Sequence, residues 1–208
     1  MATMDRLATD IVDDRDKSVG HRHDRRAPVE TTNDLRRAGF PFRSGRLCLD
    51  FVATVAKRGM GDREMLGRPA DLATWLRCAE LPPADRITAA NLAETIALRE
   101  AIHALTRAHV DHQTPPRAAV RAVNAAAQAG PPTVTLATDG HTAIPAPRAP
   151  FAAILSLLAR DTIDLFTGPY AHRIRACLGE DCSLFFVDRS RPGSRRWCAM
   201  AACGEKAS

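Results

Sequence analysis

Four cysteines near the end of the 208-residue chain carry its clearest chemistry: Cys177 and Cys182, then Cys198 and Cys203. Four residues lie inside each pair and fifteen lie between the pairs. Two close pairs joined by a loop suit tetrahedral zinc, because each pair wraps one side of the ion and the loop brings the pairs together. An all-thiolate set closes the coordination sphere and leaves no position for substrate. The expected cofactor is therefore one structural Zn2+, not a catalytic one. A module of roughly 35 residues is too short to bury a stable core unaided. Structural zinc contributes about 10–16 kcal/mol in small peptides at neutral pH, enough to hold such a module folded. Cys48 and Cys78 each stand alone within an amphipathic pattern, and core packing is their expected fate.

The loop between the pairs has its own pattern. Leu184, Phe185, Phe186 and Val187 read as a short strand, and residues 188–194 as a polar loop with a Pro192–Gly193 turn. Arg195, Arg196 and Trp197 lead into the second pair, followed by helix-prone residues 199–202. The module reads as a treble-clef or knuckle-like unit: a knuckle, a hairpin-like excursion, and a short terminal helix carrying the last two ligands. Arg189, Arg191, Arg195, Arg196 and Lys206 are the candidate nucleic-acid contacts. Arginine binds phosphate bidentately, and a zinc scaffold would hold the loop rigid. The alternative is a solvated basic loop around a structural zinc, an interaction protein that does not bind DNA. Trp197 is expected to pack beside the metal, since small modules use every large side chain.

The rest of the chain must position this module. Hydrophobic residues make up 45% but aromatics only 5%, so Ala, Leu, Ile and Val fill the core, which favours helices. Residues 1–40 hold eight basic and eight acidic residues and no sustained period; residues 1–39 read as a disordered or weakly ordered tail. In it, His21 and His23 read as solvated residues more simply than as metal ligands. Residues 40–168 read as a helical domain. Leu47–Phe51–Val55 and Cys48–Val52 are i, i+4 pairs, so a helix fits residues 45–57. Asp71 can cap a helix through residue 80 with Leu72, Trp75, Leu76 and Ala79 on one side. Thr88 can cap the longest helix, to about residue 111, with Leu98, Ile102 and Leu105 as its stripe and Leu92 and Ile96 widening it. Residues 117–129 and 149–166 read as two more helices. Between them, residues 133–146 alternate around Asp139–Gly140, the signal of a two-residue β-hairpin turn. The expected fold is mainly α with one β-hairpin, an α+β chain, followed at 169–208 by the four-cysteine zinc finger.

The net charge of +5 and pI of about 9.1 are compatible with nucleic acid without requiring it. Residues 185–206 hold five basic and two acidic residues, so much of the positive balance lies at the zinc end. No signal peptide is visible, and no apolar run reaches the roughly 18 residues of a membrane span. A cytoplasmic protein is expected, where thiols stay reduced. There is no phosphate loop, no G-x-S-x-G and no H-E-x-x-H, so no enzyme is expected. His103, His109 and His112 lie along the long helix and read as surface or core residues without a third ligand. Asp161 and Asp164 most simply solvate a helix face.

At these residues the chain resembles the CGNR zinc-finger proteins, named for a Cys-Gly-Asn-Arg signature at the last ligand. The likeness rests on Cys177-x4-Cys182, on Phe185-Phe186-Val187-Asp188 with Ser190, on Ser194 through Met200, and on Cys203-Gly204. The run Gly45 through Thr54, with Leu72-x-x-Trp75-Leu76, is similar to the ABATE domain that precedes the finger in that family. The resemblance implies a bacterial transcription regulator: a DNA-binding finger joined to a helical domain that senses a small-molecule effector or forms a homodimer. Glu205 and Lys206 stand where the signature has Asn-Arg, and Ser208 ends the sequence where a further basic stretch is expected. Both departures lower the positive charge of the implied contact surface.

Overall fold

The computed structural model describes residues 36–206. The expected tail, with His21 and His23, lies outside the described residues as far as position 35. From Arg36 the chain is paired: strand β1 (Arg36–Arg37) runs antiparallel to β2 (Phe40–Pro41).

Helix α1 (Leu47–Val52) is the centre of the molecule, and all six of its residues are buried. Such a helix cannot solvate its free N-terminal amides, so they need protein partners. No local side chain caps it. Instead Cys48 N donates to Asp161 Oδ2 at 2.8 Å, across more than a hundred residues. Arg46 closes the same corner, reaching Asp161 Oδ1 at 2.8 Å and Asp164 Oδ2 at 2.7 Å. Asp161 and Asp164 therefore anchor α1 rather than merely solvating their own helix. The helix is shorter than the i, i+4 pattern predicts. Thr54 Oγ1 donates to the Phe51 carbonyl at 2.7 Å, and the chain then pairs as β3 (Val55–Ala56) with β4 (Arg63–Glu64).

Helix α2 (Pro69–Cys78) buries Leu72, Trp75 and Leu76. Trp75 packs between Phe42 and Phe51, with ring centroids 6.0 and 5.2 Å away. Asp71 is not the N-cap residue; it sits a turn inside and accepts from Arg68 N at 2.9 Å. Pro69 begins the helix because its missing N–H costs nothing there. Helix α3 (Ala89–Val110) starts at Thr88, whose Oγ1 accepts from Asn91 N while Asn91 Oδ1 accepts from Thr88 N, both at 3.1 Å. Its buried face includes Leu92, Leu98 and Ile102, and also Arg99, only 2% exposed. Arg99 forks onto both Glu64 oxygens at 2.7 and 2.6 Å, and reaches Glu100 at 2.9 Å and Thr54 Oγ1 at 3.1 Å. An arginine on a core face is tolerable only when its donors are filled in this way.

Helix α4 (Arg117–Ala126) packs between α3 and α5 (Phe151–Thr167). The connecting hairpin, β5 (Val134–Leu136) with β6 (Ala143–Pro145), has the predicted alternation. Its connection is longer than two residues: Ala137 N donates to Thr142 O, and Gly140, at φ +72°, follows a turn closed by Gly140 N to Ala137 O. Asp139 accepts from the His141 and Thr142 amides, which fixes that wider loop. Val134, Leu136 and Ile144 stay exposed on the hairpin.

The last pairing, β7 (Ile174–Ala176) against β8 (Phe185–Val187), follows α5 after a short 3-10 turn. Successive strand side chains point to opposite faces, and β8 uses both. Phe185 and Val187, with Ile174 of β7, join the main core that holds Phe51 and Trp75. Phe186, with Leu184, joins a second cluster containing Cys177, Cys198 and Cys203. Backbone and side-chain bonds fasten the same strip: Val187 N to Ser44 O at 2.7 Å, and Arg58 N to Ser183 Oγ at 3.0 Å. His103 packs against Phe185 at 5.7 Å; burial, helped by the Arg58 charge, pushes its pKa down, so it serves as a neutral ring. Among the described residues no helix is long and apolar enough to cross a membrane.

Candidate metal centre and the loop it carries

The fold brings the four predicted cysteines together. Their sulfurs all lie within 4.8 Å of one another. Cys182 Sγ is 3.8 Å from Cys198 Sγ, and Cys198 Sγ is 3.7 Å from Cys203 Sγ. A tetrahedron with metal–sulfur bonds of about 2.3 Å has edges of about 3.8 Å. The donor set thus fits zinc in both chemistry and size. Cys177, Cys198 and Cys203 are buried and Cys182 half-buried, which leaves little room for a fifth ligand.

Each ligand is positioned by local backbone. Cys177 leaves β7 and its amide donates to Leu184 O at 2.8 Å. The first knuckle turns through Cys182 N to Gly179 O at 3.1 Å. Gly179 is the residue that sequence reasoning passes over. A Cβ there would lie 3.0 Å from Cys203 Cβ and 3.2 Å from its sulfur, closer than ordinary van der Waals contact. The two knuckles are tied by Leu178 N to Arg196 O at 3.0 Å and by Cys198 N donating to Cys177 Sγ at 3.3 Å. Cys198 does not share the terminal helix with Cys203, contrary to the sequence expectation. It precedes a single wide turn, Met200–Gly204, in which Gly204 N and Glu205 N reach back five residues. The turn carries Cys203 alone.

The thiols also show why a cation belongs there. Hydrogen bonds from Cys182 and then Cys198 hold the Cys177 sulfur as a thiolate, with its pKa far below the ordinary value. Donating these hydrogen bonds, with burial, pushes Cys182 up to about 12 and Cys198 higher still. Four sulfurs this close cannot all ionise by themselves; a divalent ion supplies the missing positive charge.

The arginine loop is organised by Asp188, which is fully buried. Its carboxylate accepts from Ser190 N at 2.9 Å, Ser190 Oγ at 2.6 Å and Arg195 N at 2.8 Å. Burial alone would raise the pKa of Asp188, but Ser190 and the Arg195 amide hold it below the usual carboxylate range. At the tip, Gly193 takes φ +66° and lies against the Arg173 guanidinium, where any Cβ would overlap it.

The five predicted nucleic-acid contacts separate into two groups. Arg195 is used internally: its guanidinium donates to Trp197 O at 3.2 Å and Cys198 O at 2.5 Å, and lies over the Phe186 ring at 4.8 Å. It is built into the second knuckle. Arg189, Arg191, Arg196 and Lys206 are exposed. Arg189 stacks on Tyr170, and Arg196 on Trp197, which packs beside the cysteine cluster as expected. Arg175 on β7 is an exposed cation of the same module that sequence patterns did not single out; the alternation Ile174-in, Arg175-out was the signal for it.

Helical domain and four-cysteine module together define the class: a zinc-finger protein. The ABATE family model, described as "Putative stress-induced transcription regulator", matches residues 45–169, and the CGNR zinc-finger model matches residues 173–208. The chain belongs to the ABATE family and ends in a CGNR zinc finger, whose four cysteines hold one structural zinc. No curated protein matches the sequence.

Proposed function

We propose that the protein is a non-enzymatic transcription regulator that binds DNA through the outer face of its zinc module. The observation that carries this reading is the exposed set Arg175, Arg189, Arg191 and Arg196 on one metal-pinned module. Arginines held on a rigid scaffold suit bidentate phosphate contact without ordering cost at the moment of binding. The zinc takes no part beyond pinning the two knuckles. Asp188 shapes the loop, Arg195 locks it, Arg175, Arg191 and Arg196 are exposed, and the exposed Arg189 also reaches Gly45 O at 3.4 Å.

The test is DNA binding of the zinc-loaded full chain against salt. Four neutralised phosphates give a slope of log K against log salt of roughly −4. Arg191→Glu with Arg196→Glu should abolish binding while zinc content is retained. Arg195 is unsuitable for this purpose, because its loss would damage the knuckle itself. Undetectable binding at about 50 mM salt, where phosphate contacts are strongest, would sink the proposal.

A second reading, association through protein contacts, draws on the hairpin. Val134 and Leu136 are 61% and 69% exposed on one face of this short sheet, opposite Pro145 and Ala143, while Ile144, 48% exposed, pairs with Thr135 on the other face. Such exposed apolar groups favour a partner surface. A homodimer formed there would place two zinc modules on one particle, and Leu136→Lys should then shift the sedimentation coefficient to that of a monomer.

A further inference from the structure

A second site lies between the two halves of the described chain. The C-terminal end of α3 and the zinc module border an open cleft of about 840 Å³. That is within the roughly 300–1,000 Å³ of small-molecule sites. Its rim carries His112 from the turn after α3 and His172, Arg175 and Arg196 from the module, while Val110 and Leu178 contribute apolar surface. No acidic residue lines it. Neither Arg175 nor Arg196 has a carboxylate partner among the described residues. Leu178 is 60% exposed, a large apolar side chain left open at the mouth.

Two local features border the cleft. His109 Nε2 is bonded to the Ala171 carbonyl at 2.8 Å, which fixes the spacing between α3 and the segment entering β7. At the end of α3 the chain closes with His112 N to His109 O and Gln113 N to Ala108 O, and His112 sits at φ +55°. That closing position ordinarily takes glycine. A histidine there places an imidazole on the rim.

We propose that this cleft binds a small organic anion, with a phosphate or carboxylate held by Arg175 and Arg196 and an apolar body against Val110 and Leu178. Cations alone would suit a bare phosphodiester strand as well; the apolar surface of Val110 and Leu178 beside them favours a ligand with a body. The site does not rest on DNA binding, since it needs only the packing of α3 against the module. If DNA is bound, Arg175 and Arg196 are both shared, and the anion becomes a competitor for two phosphate contacts.

The experiment uses the zinc-loaded full chain, uniformly 15N-labelled, with phenyl phosphate as the probe. Saturable amide shifts are expected at Val110, His112, Arg175, Leu178 and Arg196, with Kd of about 1 mM or tighter. Arg175→Ala with Arg196→Ala should weaken binding by about tenfold or more, since both bidentate partners are lost. Both side chains are exposed, and an unchanged spectrum away from the cleft verifies the fold of the double variant. Inorganic phosphate should bind clearly more weakly. Equal affinity for inorganic phosphate would overturn the proposal, because the apolar surface would then have no role. Absence of saturable shifts at these amides would overturn it too. So would shifts produced there by a DNA duplex but not by phenyl phosphate, which would make the cleft part of the DNA footprint.

Discussion

Asp188 shows how much a single buried carboxylate can organise. It gathers three donors from Ser190 and Arg195, and its own amide donates to Arg173 O at 2.8 Å. The loop that presents the arginines is therefore shaped from inside. Asp188→Asn keeps the size but replaces an ionised acceptor by a neutral amide with one acceptor oxygen. The expected loss is about 2 kcal/mol of stability, from weakened charge-assisted bonds and an NH2 facing donors. The midpoint of urea unfolding in the zinc-loaded protein measures it. The pH dependence has a defined sign. The folded pKa lies below the unfolded one, so the contribution is complete above the ordinary carboxylate value, near 4, and is lost as pH falls through the lowered folded value. The stability difference between wild type and Asp188→Asn should shrink over that acid range; a difference constant with pH would exclude Asp188 as its source. At this scale the sequence was informative about residue type and less so about role. The spacing of the cysteines announced the metal, but Arg195 and Arg196 look alike in the chain, and only the carbonyls of Trp197 and Cys198 tell them apart.

Among the elements, α1 has the least ordinary support. Six buried residues begin without a local cap, and the cap arrives from α5 through Asp161. Arg46 and Asp161 are 16% and 21% exposed at their side chains, so their attraction is only partly screened by water. Asp161→Ala removes the cap and one arginine partner together. A loss of about 2 kcal/mol is expected, from a cap worth about 1 kcal/mol and a partly buried pair worth a similar amount. Asp164→Ala, whose carboxylate is 73% exposed, should cost well under half of that; equal effects would refute the capping role. The helices were legible because their signals are local: the Thr88 box, the Leu72–Trp75–Leu76 face, the prolines between elements. The cap on α1, the placement of Arg99 against Glu64 and the three-residue strand β7 were not. Each depends on a partner distant in sequence, and three residues are too few to show a period.

For the molecule as a whole, the decisive fact is that β8 is shared. Phe185 and Val187 complete the helical core, while Phe186 completes the cysteine cluster. Removing the metal should therefore weaken both halves. Chelation is expected to lower the temperature of one common unfolding transition, and to raise hydrogen exchange in the C-terminal half of α3, where His103 and Arg107 meet Phe185. A helical-domain transition unmoved by chelation, followed by far-UV dichroism, would contradict this. Arg107 over the Phe185 ring at 4.9 Å and Arg58 reaching both Glu100 and Ser183 are the contacts through which the effect should travel. The shared strand also constrains inheritance. A finger grafted from another lineage would bring its own residues at the positions of Phe185 and Val187, and with them an altered core for the recipient. Substitutions along β8 should therefore be matched by substitutions on α3 and α1 rather than by changes at the ligands.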